Sequence, residues 1–140
     1  MLKRVLISLA VLLFAGVVIA QQSQPAPKPG APIEYKIPPE AAQKANPVKP
    51  SPEGMARAKK VYAMDCAMCH GEKGNGKGDI ASDIKTVTDF TNPDSMKDRS
   101  DGELFYIIRT GKGEMPREDK RATDDDVWNL VNYIRAMAKK

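Results

Sequence analysis

Cysteine and histidine are scarce in this 140-residue chain, which has two of the first and one of the second. Cys66 and Cys69 stand three positions apart, so no disulfide between distant segments can staple the fold. A zinc site built on four Cys or His ligands is excluded as well, because Cys66, Cys69 and His70 are the whole supply. Aromatic residues make up only 6%. Acids are absent before Glu34, and no internal repeat is present. Net charge is +4, but residues 51–140 carry 16 basic and 16 acidic side chains. The excess positive charge therefore lies outside that region, which argues against nucleic-acid binding despite a sequence pI near 9.1.

What is present divides into three unlike parts. Met1 to Arg4 is a short basic start, and Val5 to Ile19 is an apolar run broken only by Ser8 and Gly16. Small residues at Val18 and Ala20 precede Gln21. Residues 1–20 thus predict a secretory signal peptide cleaved after Ala20, and export to an oxidising compartment, in a bacterium the periplasm. The rival is an uncleaved anchor, for which the run falls short of the roughly 20 residues a spanning helix needs. Residues 21–50 hold eight of the 11 prolines and no Phe, Trp or Cys. They predict an extended, disordered tether, with a strap packing Tyr35 and Ile37 on the domain as the alternative. Residues 51–140 hold the only Trp, both Cys and the only His. A domain of about 90 residues buries only some two-thirds of its unfolded surface, so its core needs help from a bound group.

The third part reads as all-α, with three to four short helices and long loops. Ser51-Pro52-Glu53 offers an N-cap, a proline at the first helical position and an acid in the first turn, opening a helix that runs to about Cys69. Ser100-Asp101-Gly102-Glu103 is a capping box ahead of Leu104 to Ile108, with Gly111 as the stop. Thr123 and the acids Asp124 to Asp126 start a last helix, in which Val127, Leu130, Val131, Ile134 and Ala138 recur at helical spacing. Between the first two helices, Gly71 to Arg99 is a long stretch of Gly, Asp and Thr that needs something to wrap.

The chemistry is concentrated in Cys66-Ala67-Met68-Cys69-His70. Two thiols at i and i+3 can each add to a vinyl group of haem, and an imidazole directly after the second can reach the iron. Thioether attachment retains a cofactor in an exported protein. A thioredoxin-like redox pair would want a strand-helix setting in an α/β fold, and no strong strand pattern occurs. Haem c, one copy and covalent, is therefore the expected cofactor. It supplies the missing core and gives the long loop a partner.

Over nearly all of 51–140 the chain resembles the class I monohaem c-type cytochromes. The resemblance rests on Cys66 to Gly71, the Gly74-Asn75-Gly76-Lys77-Gly78 loop, Gly113-Glu114-Met115-Pro116 and Leu130 to Arg135, which stand in the family's order. It implies a small cytochrome c-like fold, with Cys66 and Cys69 as thioether attachments, His70 as proximal iron ligand and Met115 as the distal one. The seven methionines, taken by themselves, leave Met96 and Met115 as loop candidates, with Gly113 and Pro116 flanking the latter. Ala58 and Tyr133 resemble the small and aromatic residues at the crossing of the family's first and last helices. Trp128 is read as packing, and Arg109, Lys112 and Arg117 as a solvated face rather than propionate partners. One departure concerns the proximal side. Relatives commonly place a Pro after the glycine loop, near the carbonyl that receives the proximal imidazole N–H, whereas Gly78-Asp79-Ile80 has none.

These readings make the protein a one-electron carrier and not an enzyme. It would be a monomer docking transiently on redox proteins through a small, salt-sensitive interface. Contact with a membrane is expected only if residues 5–20 remain as an anchor. Two alternatives stay open: a haem enzyme or gas sensor with a displaceable sixth ligand, and a tethered electron-transfer subunit of a respiratory or dehydrogenase complex.

Overall fold

A computed structural model describes residues 35–118 and 121–138, and the expected signal peptide and the first part of the Pro-rich segment lie outside the described residues. The described chain forms five α-helices: α1 (Pro39–Ala42), α2 (Pro52–Asp65), α3 (Ala67–His70), α4 (Asp101–Thr110) and α5 (Asp124–Met137). Two 3-10 turns, Ala81–Asp83 and Pro93–Ser95, interrupt the long loop after α3. The expected all-α class holds, with an isolated bridge between Lys112 and Met115 as the extended pairing among the described residues.

Local sequence accounts for the helix ends. The Ser51 side chain accepts from the Gly54 N–H, and Pro52 occupies the first turn, where its missing donor costs nothing. Ser100 with Glu103 and Thr123 with Asp126 each close a complete capping box. The first long helix ends earlier than its composition suggested. At Cys66 the backbone leaves helical geometry (φ −119°), so the expected single helix through Cys69 is two, α2 and the one-turn α3.

The core lies where α2 crosses α5. Ala58 and Val131 are fully buried, and Tyr62 packs on Tyr133 with ring centroids 5.5 Å apart. Gly54 permits the close approach, since a Cβ there would run into the Asn129 side chain. Trp128 on α5 stacks on Phe105 of α4 at 4.1 Å, which makes it a packing residue between helices. At the edge of the same region Asp126 receives two bonds from Arg57, at 2.9 and 2.6 Å, pinning the start of α5 to α2.

Residues 35–50 depart from the expected tether. The compact unit spans Glu34–Lys140, and α1 sits inside the segment read as disordered. The Ser100 hydroxyl donates to the Ala42 carbonyl at 2.5 Å. Asn46 donates to the Trp128 carbonyl and to Asn132, which in turn donates to the Val48 carbonyl. Tyr35 bonds to Thr110 and packs on Tyr106. Proline content removed the helical periodicity without removing the polar side chains that dock this strap on α4 and α5.

The docking also needs a bare helix surface at Gly102, where any Cβ would overlap the carbonyl oxygens of Ala41 and Lys44. Alanine is worth up to about 1 kcal/mol over glycine within a helix, while a backbone clash costs about 1–3 kcal/mol, so the clash wins. Gly102→Ala is expected to lower stability by about 1–2 kcal/mol and to speed amide exchange over 39–44. A thermal melt and hydrogen exchange check both, and an unchanged exchange pattern would sink the account of the strap.

Candidate haem site

Cys66, Cys69, His70 and Met115 line one cavity of about 580 Å³, together with Phe90, Leu104, Ile107, Ile108 and Ile134. That volume is within the range of cofactor pockets. The kink at Cys66 begins the arrangement. The N–H groups of Cys69 and His70 both bond to the Cys66 carbonyl, which winds the pentapeptide into one tight turn. Both cysteines are free thiols of intermediate exposure. Burial first, then the charges of Asp65, Glu118 and Cys69, pushes the Cys66 thiol up to about 12. A thiol held neutral in this way is a poor redox nucleophile, in keeping with the rejection of a thioredoxin-like pair.

His70 is oriented from behind. Its Nδ1 lies 3.2 Å from the Thr88 carbonyl oxygen. A carbonyl only accepts, so Nδ1 carries the proton and Nε2 keeps its lone pair for a metal. Phe90 stacks on the ring at 4.4 Å with a 19° tilt. Burial holds the imidazole below its ordinary pKa, partly opposed by the Thr88 bond. The acceptor that the sequence left unassigned after Gly78 is thus a backbone carbonyl eighteen residues beyond the histidine. A carbonyl has no residue signature. The one sequence signal near it is Phe90, an isolated aromatic in a polar loop.

The loop between α4 and α5 lines the same cavity from Lys112 to Pro116. Lys112 and Met115 exchange two backbone bonds of 3.0 Å, closing a tight turn. Gly111 (φ +75°) leads into it, and a Cβ there would meet the Met115 carbonyl. The Glu114 carboxylate accepts from the Lys85 N–H at 3.1 Å, tying the turn to the long loop. Met96 also lines the cavity, but it is 3% exposed and belongs to the core cluster, and its carbonyl accepts from Arg135. Arg109 is engaged by the Ala122 carbonyl and Asp124, and Lys112 lies over the Tyr35 ring.

A sequence profile described as "Cytochrome C oxidase, cbb3-type, subunit III" matches residues 53–134. The chain belongs to this family of c-type cytochromes. Cytochrome c6 of Cladophora glomerata is 32% identical over 87 residues, covering 59% of this chain and 87% of that one. Cytochrome c6 of Cyanidioschyzon merolae is 30% identical over 87 residues, covering 61% and 77%. Among solved structures, the KustC0563 c-type cytochrome superposes with a TM-score of 0.51 at 26% identity, covering 57% of this chain and 95% of that one. A chain of the Kuenenia stuttgartiensis reducing HAO-like protein complex Kustc0457/Kustc0458 reaches a TM-score of 0.57 at 29% identity. Here 65% of this chain and 46% of that chain are covered.

The cytochrome domain binds haem c covalently, and Cys66 and Cys69 fit the family's Cys-x-x-Cys-His attachment motif. The donor set agrees on chemical grounds. Two thiols, an imidazole with a free Nε2 side and a thioether share one largely apolar cavity.

Tyr62 couples this motif to the core. Its hydroxyl donates to the Gly71 carbonyl at 2.8 Å in a buried setting, holding the residue after His70 against α2. Burial raises the phenol's pKa, so it donates throughout the physiological range. The Gly74 N–H also bonds that carbonyl at 3.0 Å, so Tyr62→Phe removes one of its two donors and is expected to cost about 1 kcal/mol. Denaturant unfolding of the haem-loaded protein measures the loss, and an unchanged midpoint would mean that water or another donor replaces the hydroxyl.

Proposed function

We propose that this cytochrome domain is a one-electron carrier in which Cys66 and Cys69 hold the haem, His70 is the proximal iron ligand and Met115 the distal one. The observation that carries the reading is that the attachment motif and the Lys112–Met115 turn line one and the same cavity. Haem held between imidazole and thioether supplies reversible one-electron exchange between ferric and ferrous iron, with the thioether favouring the ferrous state. The Thr88 carbonyl keeps the His70 ring in the tautomer that leaves Nε2 available. Phe90 restricts its rotation by stacking. Pro116 and Gly111 hold the Met115 turn on a fixed path, and Leu104, Ile107 and Ile108 of α4 with Ile134 of α5 give the cavity an apolar lining. If His70 and Met115 both bind the iron, they would leave no position for a substrate, and the domain would pass electrons without bond chemistry.

The Val5–Ile19 run and the Cys-x-x-Cys-His motif together support work in an exported compartment, with other redox proteins as transient partners. The profile's description as an oxidase subunit and the structural neighbour from a protein complex support a second setting, the same electron exchange inside an assembly. Recovery of the haem-loaded protein in a stable high-mass particle would select that setting over a diffusing carrier.

Spectroelectrochemical titration of the matured protein is expected to show one low-spin haem at a clearly positive potential. Met115→Ala should lower that potential by something on the order of 100 mV, within the roughly 0.8 V that axial ligands command, and let carbon monoxide bind the reduced protein. A high-spin ferrous wild type, or a Met115→Ala protein with unchanged spectrum and potential, overturns the ligation and moves the sensor or enzyme reading forward.

A further inference from the structure

The last residue of α2, Asp65, is an unfavourable place for a carboxylate. It opposes the negative end of the helix dipole, directly before Cys66, and its side chain is only 13% exposed. A second carboxylate, Glu118 of the loop between α4 and α5, is 8% exposed and lies against the same guanidinium as Asp65. Two mostly buried acids that lie close together repel one another unless a cation lies between them. That cation is Arg121. Its Nη2 is 2.9 Å from Asp65 and 3.6 Å from Glu118, while the rest of its side chain, 70% exposed, lies in solvent.

The pair joins parts of the chain that are far apart in sequence, the loop before α5 and the end of α2. Two bonds fix the Met115 loop to α4, Glu118 N–H to the Ile108 carbonyl and Arg109 to the Ala122 carbonyl, and a third, Ala122 N–H to Glu118, closes the loop on itself. Arg121 instead reaches across to α2, one residue before the attachment motif. We propose that Arg121, bridging Asp65 and Glu118, is a positioning residue that clasps the distal loop to the proximal helix and so sets how firmly Met115 holds the sixth coordination position. This rests on the His70/Met115 reading above.

The clasp is built to be adjustable. A bidentate pair sealed in the core would be insensitive to solvent, whereas an exposed guanidinium over two shielded carboxylates is weakened by added salt. Releasing it leaves Met115 on its turn but frees the root of the loop to move away from α2.

The test uses the full-length, haem-loaded ferric protein and imidazole, a neutral ligand that competes for the Met115 position. Arg121→Gln should bind imidazole roughly two- to fivefold more tightly than wild type, the range expected of a partly exposed ion pair. Wild-type affinity should rise with ionic strength toward the variant's value, while the variant's changes little. Arg121→Lys, which keeps the charge, should restore most of the wild-type affinity. Met115→Ala serves as the reference for a vacated position and should show the largest increase. If Met115→Ala leaves imidazole affinity unchanged, the ligation reading fails and the clasp falls with it. If Met115→Ala responds and Arg121→Gln does not, the clasp alone is overturned. A shift in reduction potential in Arg121→Gln without any change in imidazole affinity overturns it too, because that pattern belongs to a charge acting at a distance.

Discussion

The close crossing of α2 and α5 is the constraint on which the remaining geometry depends. Gly54 and Ala58 let the two backbones approach, and Tyr62 and Tyr133 pack where they meet. A single hydroxyl extends this order beyond the helices: Tyr62 holds the Gly71 carbonyl, and thereby the turn that carries Cys66, Cys69 and His70. The site thus stands on the most tightly packed part of a small domain, where helix movements are costly.

From that base the two sides of the cavity are built differently. The proximal side is local and rigid, wound around the Cys66 carbonyl and braced by Thr88 and Phe90. The distal side is a loop whose position depends on contacts far apart in sequence, among them Glu114 with Lys85 and Arg121 with Asp65. An electron carrier benefits from this division. The attachment must never open, whereas under the proposed ligation Met115 needs only enough hold to keep the iron environment alike in both oxidation states.

The N-terminal strap shows how composition can mislead. Eight prolines in 21–50 point to extended chain, yet residues 35–50 fold onto α4 and α5 through Tyr35, Ser100, Asn46 and Asn132. Proline is compatible with this because the strap draws its order from side-chain and carbonyl contacts with the domain rather than from its own periodicity. The kink at Cys66 brings residues 51–140 to four helices, within the three to four expected, and α1 adds a fifth among the described residues in the segment read as tether.

Sequence by itself determined what depends on neighbours along the chain. The caps at Ser51, Ser100 and Thr123, the stop at Gly111 and the attachment motif are short-range patterns whose chemistry is carried by the residues themselves. Tertiary structure alone decided which carbonyl receives the His70 proton, which charge settles between Asp65 and Glu118, and where the strap docks. Each of these pairs a group with a partner distant in sequence, and in two of the three that partner includes a backbone carbonyl, which every residue possesses and which leaves no mark in the order of side chains.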